Sequence, residues 1–147
     1  ELPIFILAPD SENPVRPGIT IAHPQYRHCL HLLKAISAKH PETIPSIHSI
    51  SQDNEWSLSL TTNSGTVATF GLGDHDRQLN YLNQALNHAR KKGYQIATIN
   101  LIPKQNVPLT VHGDDKPPRA IPVSEENLPP SQESRQTSDL RSLLNRN

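Results

Sequence analysis

Apolar residues fall along this chain in blocks of two different periods, and the alternation of those blocks sets out the expected elements. Leu2 to Leu7, Leu-Pro-Ile-Phe-Ile-Leu, is a short apolar run with an early proline, which suits an edge strand or an extended anchor. Pro9 to Pro24 is irregular. From Pro24 onward Tyr26, Cys29, Leu30, Leu33 and Ile36 recur at three- and four-residue spacing, so an amphipathic helix is expected to end before His40-Pro41. Ile47 and Ile50 lie three apart, which breaks strict alternation and permits a strand only with a bulge or bend.

Trp56, Leu58 and Leu60 alternate with Ser57 and Ser59, the pattern of a half-buried strand. Thr62-Asn63-Ser64-Gly65 then signals a hairpin, because Asn and Gly tolerate positive φ. The return strand runs Thr66 to Leu72, with Ala68, Phe70 and Leu72 on one face. A second helix begins near Asp74 or Asp76, carries Leu79, Leu82, Leu86 and Ala89 as its stripe and stops at Gly93. Its acids at the start and Arg90, Lys91 and Lys92 at the end complement the helix dipole. Ile99 and Leu101 mark another strand, and Val107, Leu109 and Val111 alternate in a last one. The expected class is α+β, a mostly antiparallel sheet with two amphipathic helices.

Residues 1–111 carry that fold. Residues 112–147 hold five prolines, no aromatics and seven hydrophobic residues in 36, too few to offset an ordering cost of ~1–2 kcal/mol per residue. This reads as a disordered tail rich in Pro, Ser, Glu and Gln, in which Ser138 to Leu144 could form one amphipathic turn. A chain that opens on Glu1 and contains no Met reads as a piece of a longer protein.

Charge narrows the function. Fourteen basic residues balance fourteen acidic ones, and the balance holds on each side of Val111, nine against eight before it and five against six after it. Such a chain has no field with which to gather phosphates, so nucleic acid is not an expected partner. The single cysteine, Cys29, excludes an internal disulfide, and its leucine neighbours favour a buried thiol over a nucleophile.

Eight histidines raise a metal question. His28 and His31 are three apart on the first helix with His23 nearby, so a metal- or ligand-binding domain using His23, His28 and His31 is the alternative reading. No carboxylate completes a local triad, and surface or packing histidines are the default. Gly71-Leu72-Gly73 before a helix resembles half of a phosphate loop, but Asp74 and Asp76 would set negative charge where the phosphate belongs. No Gly-x-Ser-x-Gly elbow and no paired catalytic carboxylates are visible. The residues point to a chain that is not an enzyme, with no catalytic residue and no cofactor to name.

The hairpin closing on Leu72-Gly73, Gln78-Leu79 opening a leucine-striped helix, then Gly93 and Ile99-Asn100-Leu101, resembles the extracytoplasmic β domain of the bacterial cell-division family FtsQ, called DivIB in Gram-positive bacteria. Leu2-Pro3-Ile4 fits the family's Leu-Pro-Ile or Leu-Pro-Leu opening. Where the family usually has Ile-Asp-Leu-Arg this chain reads Ile99-Asn100-Leu101-Ile102, and its usual Lys-Leu is Gln78-Leu79.

The resemblance spans roughly residues 2–111. It implies a scaffold on the periplasmic side of the cell membrane at the division septum, anchored in the inner membrane by a helix upstream of Glu1 and preceded by a small POTRA domain. The implied partners are FtsB-like and FtsL-like proteins, the first adding a strand to the edge of the last strand. By chain order that edge is Asn106, Val107, Pro108, Leu109, Thr110 and Val111. Pro108 has no N–H to give an added strand, so a partner register that avoids this rung is expected.

Overall fold

The structure, a computed structural model, describes residues 3–6, 16–18, 23–114 and 116–123. Proline at the first helical position and a histidine cap start the first helix, α1, Pro24–Lys39. The Nδ1 of His23 accepts the Gln25 N–H at 3.3 Å, and the helix closes at His40, directly before Pro41. A short 3-10 helix, Pro41–Ser46, leads into the sheet. The second helix, α2, His75–Lys92, ends on Gly93 at φ +72°, a left-handed cap that L side chains rarely adopt.

Seven strands form one sheet in the order β1 (Ile4–Ile6), β2 (Ile47–Asn54), β3 (Ser57–Thr62), β4 (Val67–Gly71), β5 (Ile96–Asn100), β6 (Val107–Val111) and β7 (Arg119–Ile121). The class is α+β and the sheet is mixed. β1 runs parallel to β2 and β4 parallel to β5, while the other neighbours are antiparallel. Consecutive strands that lie parallel as neighbours need a long crossover, usually a helix, because a tight turn cannot reverse the chain twice. Accordingly α2 is the crossover from β4 to β5, and α1 lies between β1 and β2 in the chain.

Register separates the two faces. Leu58, Leu60, Ala68, Phe70, Ile99 and Leu109 share one face, and all are buried in a single core with Cys29, Leu32 and Ile36 of α1 and with Leu79, Tyr81 and Ala85 of α2. Their neighbours Ser59, Thr61, Thr69, Thr98 and Thr110 put hydroxyls on the opposite, more open face. Ile47 and Ile50 are both buried despite their spacing because the β2–β3 register shifts between Ile47 and Ser49.

Several expectations change. The strand Val107–Val111 is not an edge: β7 pairs with it, Val107 opposite Ile121, Pro108 opposite Ala120 and Leu109 opposite Arg119. The ordered fold therefore passes the expected boundary at Val111, with Ile121 buried and Val123 packed on the core. Isolated apolar residues in a proline-rich stretch give too little periodicity to announce a three-residue strand. Ser138 to Leu144 lies outside the described residues.

Trp56 stands in the β2–β3 turn, 65% exposed, because the strand begins one residue later. Both helices are rotated from their expected stripes. Leu32 is fully buried in α1, and Tyr81 and Ala85 are fully buried in α2, while Leu86 is 39% exposed. The spacing of leucines alone could not show that α2 turns polar residues inward.

Two outcomes test this packing. Phe70→Ala should lower the unfolding free energy by about 3–5 kcal/mol in urea titrations, since Phe70 is fully buried at the centre of the core. Trp56 fluorescence should report water-exposed indole in the native state and shift little on unfolding, so the transition should be visible by circular dichroism and nearly silent in emission wavelength.

Candidate functional site

The first two turns of α2 bury polar side chains where most helices bury leucines. His75, Arg77 and Gln78 are 4%, 7% and 2% exposed. They lie where β4 ends and where the chain leaves β5, and parallel pairing brings those two carboxyl ends together. Backbone groups released from two strand ends need partners, and burying them unpaired would cost ~1–3 kcal/mol each.

Each need is met by a named side chain. Gln78 accepts the Gly71 N–H through Oε1 at 3.1 Å and donates through Nε2 to the Gly73 carbonyl at 2.9 Å. Arg77 donates to the carbonyls of Pro103 and Ile102 at 3.2 and 3.4 Å and to the Asp74 carboxylate at 2.5 Å. Tyr81 donates its hydroxyl to the Lys104 carbonyl at 2.8 Å, and the Arg77 guanidinium lies 5.2 Å from the Tyr81 ring centre. Asp74 itself sits at φ +59°, a left-handed position that Asp tolerates better than bulkier residues.

Gly71 leaves little room for anything larger, since an added Cβ would lie 3.2 Å from Gln78 Nε2. Burial works against the charge on Arg77, but the Asp74 carboxylate and Tyr81 together outweigh it, so the guanidinium holds its proton more firmly than usual.

His75 closes the site toward α1. Its Nε2 lies 3.1 Å from the Gly71 carbonyl and its Nδ1 lies 3.2 Å from Nδ1 of His31. Burial pushes the His75 imidazole below its ordinary pKa; the Gly71 carbonyl opposes this, His31 adds to it, and Asp76 and Asp74 oppose it. A second link between the helices is the Lys39–Asp76 ion pair at 3.1 Å, exposed on both partners.

The structure does not bring the three histidines of the metal reading together. His23 caps α1, His28 bonds through Nδ1 to Gln52 Oε1 at 3.0 Å, and His31 faces His75. Among the described residues no group of three His, Cys, Asp or Glu could hold a metal ion. Cys29 is fully buried, and burial raises its thiol pKa. Gly71 and Gly73 serve the turn that Gln78 binds.

Of the six residues expected to receive a partner, Val107 and Leu109 are core residues. The edge at this end of the sheet is instead β7, Arg119, Ala120 and Ile121, which follows Pro117-Pro118 and precedes Pro122, the edge at the other end being β1. Arg119 is tied back to Asp114 by an ion pair. Proline cannot donate, so the Pro108–Ala120 pair suits the non-hydrogen-bonded position, in which the N–H and C=O of Ala120 point away from β6 toward the open edge.

A groove of about 370 Å³ lies between α2, the 3-10 helix and β3, lined by Leu60, Leu79, Leu82 and Leu86 with Glu42 and Arg90 at its polar margin. The hairpin tip is fastened beside it by Asn63, whose Nδ2 donates to the Pro45 carbonyl at 3.0 Å. Among the described residues no helix is long and apolar enough to cross a membrane. No family model matches the chain, and no curated protein matches it significantly.

Arg77→Leu should cost about 2–3 kcal/mol in urea unfolding, because two buried carbonyls and the Asp74 carboxylate lose their donor together. Arg77→Lys should recover less than half of that, since one ammonium cannot reproduce a planar fork. Asp76→Asn, which removes only the exposed ion pair to Lys39, should cost less than about 1 kcal/mol.

Proposed function

We propose that this domain is a non-enzymatic scaffold on the extracytoplasmic face of a membrane-anchored cell-division protein, recruiting FtsB-like and FtsL-like partners at the septum. The observation that carries the reading is the open edge at β7. It continues the sheet directly beyond the β5–β6 hairpin, where the resemblance to the FtsQ and DivIB family sets partner binding.

The helices pack on the core face, and Arg77, Gln78 and Tyr81 of α2 are spent on the protein's own backbone, so unused donors and acceptors lie at the sheet's two edges, β1 and β7, of which β7 adjoins the β5–β6 hairpin. The receiving residues proposed are therefore Arg119 to Ile121, in place of Asn106 to Val111. A mostly antiparallel arrangement at this end of the sheet supports the same reading, since β5, β6 and β7 form successive antiparallel pairs to which a further strand can add.

Edge pairing also explains the prolines. Pro117, Pro118 and Pro122 confine donation to a three-residue window, which blunts unspecific strand pairing while leaving room for a partner in the right register. The zero formal net charge of the chain agrees with recognition through backbone pairing and apolar contact rather than long-range steering.

Ala120→Pro removes the outward N–H and should weaken binding of the FtsB-like partner at least tenfold in calorimetric titration, with an unchanged circular dichroism spectrum. Equal affinity for the two chains would contradict strand addition at β7, and no binding by either chain would contradict the scaffold reading itself.

A further inference from the structure

We propose that His31 and His75 form a proton-controlled clasp that holds α1 against the first turn of α2 only while at least one of the two rings is neutral. The hydrogen bonds set the roles at neutral pH. The Gly71 carbonyl can only accept, so the His75 Nε2 facing it at 3.1 Å carries a hydrogen. A neutral imidazole then has a bare lone pair on Nδ1. Facing that lone pair at 3.2 Å is Nδ1 of His31, which must carry the hydrogen and donate.

The ring of His31 is exposed, so a proton added to its Nε2 leaves the Nδ1–H donor in place. A proton on His75 alone turns its Nδ1 into a donor, which His31 answers by moving its hydrogen to Nε2 and accepting. Protons on both rings set N–H against N–H and cation against cation, and the rings must part.

The surroundings decide where the proton is resisted. His75 is 4% exposed and begins α2, whose N-terminal dipole disfavours a cation. On its own element the facing groups are Asp74 and Asp76, which favour the cation, and from α1 it is His31, which does not. β4 contributes the Gly71 carbonyl alone. Arg77, the remaining charge in this turn, is committed to Asp74 and to the carbonyls of the loop after β5.

A basic group whose pKa is lowered by folding stabilises the fold fully above its unfolded value of ~6.5 and loses that contribution as pH falls toward the folded value. The clasp is thus closed at neutral pH and opens on acidification. Its release frees the Gly71–Asp74 turn and one polar link between the helices, Lys39–Asp76 being another. Nothing in this device depends on the β7 edge.

The test is ring and amide NMR of the complete 147-residue chain between pH 7.5 and 5.0 with a chelator present. At pH 7.5 His75 should show the Nε2–H tautomer. Between pH 7 and 5, amide protection in the middle of α1 and in residues 72–76, corrected for intrinsic exchange, should fall at least tenfold. His75→Gln keeps a donor for the Gly71 carbonyl and cannot ionise, so this loss should vanish.

His31→Ala, at an exposed position that folding tolerates, should move the His75 titration upward; this variant carries the test if His75→Gln does not fold. The proposal is overturned if His75 is already charged at pH 7, if His75→Gln retains the same acid-induced loss, or if His31→Ala leaves the His75 titration unmoved. A histidine ring spectrum that changes when the chelator is withdrawn would overturn it too, making the pair a metal site.

Discussion

A parallel pair in the middle of a sheet imposes one constraint on this fold: the chain must leave the end of β4, cross the sheet and return beside it as β5. The turn into α2 and the loop after β5 consequently meet at the same corner, each with exposed backbone groups. The first two turns of α2 answer both at once, Gln78 on the β4 side, Arg77 and Tyr81 on the β5 side. The rest of the domain is arranged around that corner. With those side chains inward, α2 settles on Tyr81 and Ala85, and Leu82 and Leu86 are displaced to the rim of the groove beside the 3-10 helix.

The same constraint separates what is rigid from what is available. Arg77, Gln78 and Tyr81 of α2 are engaged with the protein's own backbone, an arrangement that fixes geometry. At the far side of the sheet, β7 is short, bounded by prolines, and held by its β6 ladder, the Arg119–Asp114 pair and the buried Ile121 side chain. The His31–His75 contact between α1 and α2 lies at the same locked corner.

Much of this fold was legible in the sequence. Periodicity placed both helices within a residue or two, because caps such as Pro24 and Gly93 are local signals. The bulge near Ile47 was visible as broken alternation. The rotation of α2 was not legible, since its reason is tertiary: Arg77 and Gln78 look like a solvated helix start until β4 and β5 lie side by side. The edge was misplaced for a related reason. Arg119-Ala120-Ile121 has no pattern of its own and becomes a strand only because β6 offers a ladder. The histidine pair was hidden by distance, His31 and His75 being 44 positions apart, whereas His28 and His31, close in sequence, have different partners in the fold.

Native-state hydrogen exchange of the free chain weighs the locked corner against the free edge in one measurement. The Gly71 N–H, held by Gln78, and the Leu101 N–H, held by the Thr69 carbonyl at 2.9 Å, should exchange only with global unfolding. The outward N–H of Ala120 should exchange orders of magnitude faster. Local opening at Gly71 or Leu101 would contradict the locked corner, and an Ala120 as slow as they are would contradict the open edge.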